Sequence, residues 1–235
     1  MAYAKIARDF FKVVNTLGED VTFNWSEDKD MPMLETVKAS LANATQAAYS
    51  MVDRAFLVKG NLVVPKNKGL KDLEGEYFKR ECMPSVPYML LSAIPEPSSP
   101  RLCFIYAEEC NATISILKKN VGSMENRDKW GNIAVTYSKD KVDVPVYFYT
   151  TLRSYKIQNN GKLDQTIYTA HIPAKYKLSP MDKIVKKNFV DGEYKEVVYN
   201  VDSVEPALVT EMGNQELNGV VSMQLTLNLD KVVIK

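Results

Sequence analysis

Apolar residues recur at helical spacing in one clear place. Tyr3, Ile6, Ala7, Phe10, Val13, Val14 and Leu17 stand three or four residues apart and so share one helical face. Gly18 follows where a helix would take a left-handed cap, which predicts a helix over 3–17. A second stretch, Ala42 to Val52, holds the helix formers Ala, Gln and Met without a continuous stripe, and a shorter helix is drawn there from propensity alone.

Elsewhere the pattern is strand and turn. Val21–Trp25 and Leu34–Leu41 are β-prone, and Ala55–Val64 reads as two strands broken at Lys59-Gly60-Asn61. Lys66–Gly75 is basic, contains glycine and lacks periodicity, which predicts an exposed loop. Pro84, Pro87, Pro95, Pro97 and Pro100 crowd together, and the interval 94–100 reads as a stiff connector. A single β-rich domain is expected over 1–235, with any sub-boundary at 94–100. Further strands are expected at Leu102–Tyr106, Thr113–Leu117, Ile133–Tyr137, Val144–Leu152, Ile167–Ile172, Asp182–Lys186 and Tyr194–Val204, with turns at Asn159-Asn160-Gly161 and Asp191-Gly192. Met223, Leu225, Leu227 and Leu229 alternate with polar residues, the mark of a strand with one wet face. No amphipathic helix separates these strands, so parallel crossovers have nothing to be made from. The expected fold is mainly β: an antiparallel barrel or sandwich with an N-terminal helix and long inserted loops.

Composition narrows the function without naming it. The 235 residues carry 30 Lys+Arg against 29 Asp+Glu, and 46% are hydrophobic, so the chain can bury a core and has no overall charge to draw it to nucleic acid or an anionic membrane. Cys82, Cys103 and Cys110 form no C-x-x-C pair, and small buried thiols in a reducing cytoplasm are expected. The N-terminus shows no signal-peptide pattern and no apolar run is long enough to span a membrane, so the N-x-S/T matches at Asn24, Asn43 and Asn111 have no export route.

Catalytic motifs are missing. His171, the one histidine, lies in a strand with no nucleophile elbow before it, and a hydrogen-bonded structural role is expected. Glu27-Asp28-Lys29-Asp30, Glu108-Glu109 and Asp140-Lys141-Val142-Asp143 lack calcium-loop spacing and read as solvated turns. No glycine-rich phosphate loop is present. The basic run Lys66, Lys68, Lys71 and the later Lys183, Lys186 and Lys187 lack aligned aromatics. No catalytic activity, metal or cofactor is expected.

Four later segments share a cadence: Tyr168-Thr169-Ala170-His171-Ile172-Pro173, Leu178 through Ile184, Asp191-Gly192-Glu193-Tyr194, and Tyr199 through Glu205. With the helix, glycine and Val-Thr strand of Phe10–Phe23, these resemble the β-barrel proteins of tailed bacteriophage necks, the head closure or stopper proteins and their connector, ring and tail-completion relatives. Those proteins are shorter, so residues 41–137 would be insertions or a second lobe. The resemblance implies a structural virion protein assembled in the host cytoplasm. It implies a homo-oligomeric ring on the portal axis, contacts with portal or adaptor and tail proteins, non-specific contact with packaged DNA, and no membrane. A tail or baseplate adaptor is the near alternative. A β-sandwich module for carbohydrate or protein, with Trp25 and Trp130 as platforms, is the alternative from another class. Lys66, Lys68 and Lys71 in the loop, with Asp191 and Gly192 in the hairpin, are the expected subunit or channel contacts, since ordering polar loops costs about 1–2 kcal/mol per residue.

Overall fold

A β-strand with a bare side leaves a row of unpaired backbone groups, and this chain removes that liability by closing its strands into rings. The computed structural model describes residues 2–26, 30–43, 57–97, 99–121, 135–157, 161–190, 193–206 and 221–233. Helix α1 (Ala2–Leu17) leads into β1 (Glu19–Asn24), β2 (Leu34–Asn43), β3 (Leu57–Val63), the one-turn α2 (Leu70–Leu73), β4 (Tyr77–Arg80), β5 (Met83–Pro95) and β6 (Leu102–Glu109). These strands close in the order β1-β2-β3-β6-β5-β4, every pairing antiparallel.

A second barrel follows. It contains β7 (Ala112–Val121), β8 (Val135–Ile157), β9 (Gly161–Pro173), a 3-10 turn at Ala174–Tyr176, β10 (Lys183–Val190), β11 (Glu193–Pro206) and β12 (Ser222–Val233). Read from β7, its ring runs β7-β8-β9-β12-β11-β10. The mainly β, antiparallel fold with an N-terminal helix therefore stands. The described residues fall into two compact units, the first running through Cys110 with Val221 and Ser222, the second from Asn111 to Pro206 with the rest of β12. The proline-rich interval 94–100 is the β5–β6 connection inside the first barrel, where the Glu96 N–H bonds the Leu102 carbonyl at 3.1 Å. Residues 41–137, expected as insertions or a second lobe, carry the end of β2, the five whole strands β3 to β7 and the start of β8.

The two barrels repeat one plan. Each places a short helical turn between its third and fourth strands. Each then sets a residue with positive φ before the fourth strand, Gly75 at 78° and Met181 at 73°. In the first barrel Gly75 N–H and Leu90 carbonyl pair at 2.8 Å, and Leu90 N–H and Glu76 carbonyl at 2.9 Å. In the second, Met181 and Val201, then Val201 and Asp182, make the same two bonds at 2.8 and 2.9 Å. A bulge follows in each fifth strand, between Leu90 and Ser92 and between Val201 and Ser203.

Inward residues fill both rings. Phe23, Leu62, Phe78, Tyr88 and Ile105 pack the first, and Leu73 of α2 is fully buried against it. Ile114, Ile116, Val146, Ile184, Leu225 and Leu227 pack the second, so the alternation near the C-terminus sets the buried face of β12. Several local expectations change. Lys59-Gly60-Asn61 does not break two strands: β3 runs through Gly60, where a Cβ would overlap the Ser40 carbonyl oxygen of β2, and residues 55 and 56 lie outside the described residues. Gly18 has no left-handed φ. It follows α1 because a Cβ there would lie 2.6 Å from the Ala39 carbonyl oxygen. The helix expected over 42–52 begins inside β2, and residues 44–52 lie outside the described residues. Of the run expected at Ile133–Tyr137, residues 133 and 134 lie outside the described residues; Val135–Tyr137 and Val144–Leu152 belong to one strand, β8, with register shifts opposite β7 and Asp143 at a φ of 52° absorbing the intervening polar residues.

Gly60→Ala is expected to destabilise the first barrel by about 2–3 kcal/mol, because backbone rather than a movable side chain blocks the new Cβ. Amide hydrogen exchange should show lost protection in β2, β3 and β6 with β8–β9 unchanged. Wild-type protection in β2 and β3 would contradict this packing.

Candidate functional site

The basic segment is anchored to its own barrel. Lys66 donates its backbone N–H to Glu35 Oε1 at 3.2 Å, and Glu35 Oε2 accepts the Trp25 indole N–H at 3.1 Å. The Trp25 ring stacks on Phe23 with centroids 4.8 Å apart, and the Lys68 ammonium sits 4.6 Å from its centroid. Asp72 Oδ2 accepts the Gly69 N–H at 2.8 Å, and Leu73 anchors α2 in the core. Glu74 accepts the Ala93 N–H at 3.2 Å. Burial raises the Glu74 carboxyl, while that bond and the charge of Lys71 oppose the rise. Residues 66–75 are thus not the bare loop expected: part is helical, and contacts within the barrel offset the ordering cost assigned to a partner. Lys66 and Lys71 remain exposed, while Lys68 folds back onto Trp25.

Asp191 and Gly192 lie outside the described residues. Val190 and Glu193, on either side of them, pair directly. Trp130 and residues 27–29 also lie outside. His171 is half-buried on β9, with the rings of Tyr147 and Tyr149 each 5.7 Å away. The later lysines split between faces. Lys183 joins Asp230 at 2.8 Å and lies over Tyr137, Lys187 is exposed, and Lys186 follows Ile184 on the inward face. Asn111 acts as a strand extension, its amide exchanging bonds of 2.9 and 2.8 Å with the Phe148 backbone.

Two carboxylates organise the barrel walls. Asp182 is 3% exposed, yet Oδ1 accepts the Lys119 N–H at 2.9 Å and Oδ2 accepts the Ser179 N–H at 2.9 Å and the Lys118 ammonium at 3.1 Å. Three donors from β7 and from its own turn meet on it. In the first barrel Glu19 grips Arg80, with Oε1 2.7 Å from one guanidinium nitrogen and both oxygens 3.1 Å from Nε. Burial alone would lower the Arg80 guanidinium, but the hydrogen bond and charge of Glu19 hold it above its ordinary value. Cys82 is exposed, unlike the buried thiol expected, and donates to Glu19 at 3.2 Å.

The feature that periodicity misjudged is on α1. Val14 is 2% exposed and seats the helix, whereas Ile6, Val13 and Leu17 are 60%, 52% and 79% exposed. At 100° per residue these three and half-buried Phe10 fall within one narrow stripe beside the seated edge. The sequence marked the apolar arc correctly, but the barrel covers only one side of it.

Asp182→Ala should cost the second barrel about 3–5 kcal/mol, since Lys118 and two backbone donors lose their acceptor. A thermal melt within a degree or two of wild type would contradict that role. Burial pushes the Cys103 thiol up to about 12 and raises Cys110 further, so both are protonated at pH 8. Burial and Glu19 also raise the Cys82 thiol, but it is exposed, so iodoacetamide at pH 8 is expected to label Cys82 slowly in the folded chain and all three cysteines in denaturant. Equal native labelling of Cys103 would refute the burial argument.

No family model matches this chain, and no curated protein matches it. Among solved structures, the phage-like element PBSX protein xkdH from Bacillus subtilis is 15% identical with a TM-score of 0.27, the match covering 51% of this chain and 93% of that one. A score of that size assigns neither fold nor function.

Proposed function

We propose that this chain is a structural subunit of a tailed bacteriophage particle, specifically a ring-forming head-to-tail connector of the neck, with no catalytic step. The observation that carries the assembly reading is the uncovered stripe Ile6, Phe10, Val13 and Leu17, because a contiguous exposed apolar face marks an interaction surface. The phage assignment rests on the resemblance in sequence. Its later segments fall in one continuous stretch from β9 through β11, and its N-terminal segment is α1 with β1. In a ring each copy offers two different surfaces, and closed cyclic symmetry satisfies both. The α1 face is one, meeting the next copy. Lys66 and Lys71 face the channel and its DNA. The glycan-module alternative loses support at Trp25, whose ring is engaged by Phe23 and Lys68.

Light scattering after size exclusion, with and without a portal protein, tests the reading. A mass at a multiple of 26.6 kDa, or addition to the portal, is expected. The combined variant Ile6→Glu, Val13→Glu, Leu17→Glu should remain monomeric with a nearly unchanged melting temperature, since each site is exposed and Glu suits a helix. Assembly of that variant like wild type would remove α1 from the interface. Binding to tail proteins instead of the portal would favour the adaptor role.

In the particle, Lys66→Glu with Lys71→Glu is expected to weaken DNA retention without lowering subunit stability, because both lysines are exposed. Normal infectivity would exclude a channel role for this loop.

A further inference from the structure

The repeated plan lets one barrel be compared with the other, residue by residue. Arg80 pairs with Val21 across the seam closing the first barrel, and Lys186 pairs with Ile114 across the seam closing the second. Two residues along each fourth strand, Phe78 is opposite Tyr88 and Ile184 is opposite Tyr199. Arg80 and Lys186 therefore hold equivalent inward positions, each near an equivalent tyrosine. Two residues before Val21 stands Glu19. Two residues before Ile114 stands Ala112.

The consequence is an uncompensated cation. Arg80 has the bidentate Glu19 carboxylate at 2.7–3.1 Å. The Lys186 ammonium has Asn188 Oδ1 at 2.7 Å and the Phe148 ring at 4.6 Å. An ammonium carries three donors, and among the described residues one acceptor meets them. Burial lowers the Lys186 amine, with no carboxylate reversing the effect as Glu19 does for Arg80.

The surroundings suit an apolar group beside the charge. Phe148, Tyr168 and Tyr199 contact one another with centroids 5.0–6.2 Å apart. Leu229 pairs with Tyr199 and so shares its inward face, yet is 50% exposed, which leaves this end of the barrel open. Lys195, opposite Asn188, adds a second cation to the same face. Glu193, opposite Val190, stands in line with Lys195 at the hairpin end of this face and is exposed, while the Lys186 ammonium bonds Asn188.

We infer that this end of the second barrel binds a small carboxylate with an apolar body. The carboxylate occupies, on Lys186, the place Glu19 occupies on Arg80, and the body lies against Phe148, Tyr168 and Leu229. The ligand is either a free aliphatic or aromatic acid or the carboxylate that ends a polypeptide.

Isothermal titration of the full chain with benzoate and with N-acetyl-L-phenylalanine tests this, with benzamide as the uncharged control. At least one acid is expected to bind in about the millimolar range, and benzamide about tenfold or more weaker than benzoate. Tighter binding of N-acetyl-L-phenylalanine assigns a polypeptide terminus, and tighter binding of benzoate assigns a free acid. Lys186→Met should reduce affinity at least about tenfold while melting no lower than wild type, because it removes a buried charge and keeps the apolar stem. Ala112→Glu, which restores the first barrel's arrangement, should abolish binding and raise the melting temperature. The inference is overturned if neither acid binds at tens of millimolar, or if Lys186→Met binds them as wild type does.

Discussion

Closure of each strand ring is the constraint on which the rest of this molecule depends. Six antiparallel strands satisfy their backbone groups only if the first and last meet, and in the first barrel that seam is three residue pairs between β1 and β4. β4 is four residues long, so the seam has little backbone to draw on. Side chains complete it: Phe23 and Phe78 pack in tilted contact on the inside, and Glu19 clamps Arg80 beside them. Glycine at position 60 serves the same end, letting β2 approach β3 where any side chain would hold them apart.

The second barrel meets the constraint with different chemistry. Its seam, four pairs between β7 and β10, rests on Ile114, Ile116 and Ile184. Asp182 ties the chain before β10 to β7, work that the first barrel gives to the Leu73 anchor of α2. Met181 takes the left-handed conformation that Gly75 takes in the first barrel. Backbone geometry is held in common while side chains diverge, because ring closure constrains hydrogen bonds and the inward volume rather than residue identity. The loss of an acid at Ala112 is one such divergence, tolerated because Lys186 reaches Asn188 and an aromatic face.

Closed rings also dictate how such a chain can associate. Each described sheet closes on itself, so no whole strand stands at an edge and side-chain contacts become the main route to association. Helix α1 supplies an apolar one. It lies against β2 and β3 and buries Val14, while Ile6, Val13 and Leu17 on its neighbouring face stay exposed. An amphipathic arc wider than its seat serves two surfaces at once.

Much of this was legible in the residues themselves. The spacing from Tyr3 to Leu17 specified α1, and the β-prone runs at Asp182–Lys186 and Tyr194–Val204 specified β10 and β11, since both signals are local. The alternation of Leu225 and Leu227 specified a buried face for the same reason. What sequence could not decide was which strand lies beside which. Gly60 reads as a turn until Ser40 is known to press on it, and Lys186 reads as surface charge until Ile184 shows which face is inside. The proline cluster suggested a boundary that the ring order places within one barrel. The tandem plan was invisible, because the barrels share registers, bulges and backbone angles rather than residues. Local period and turn chemistry are written in the chain; neighbour identity arises only when distant strands close, and it is closure that turned Glu19 into a partner for Arg80 and left Lys186 without its equivalent.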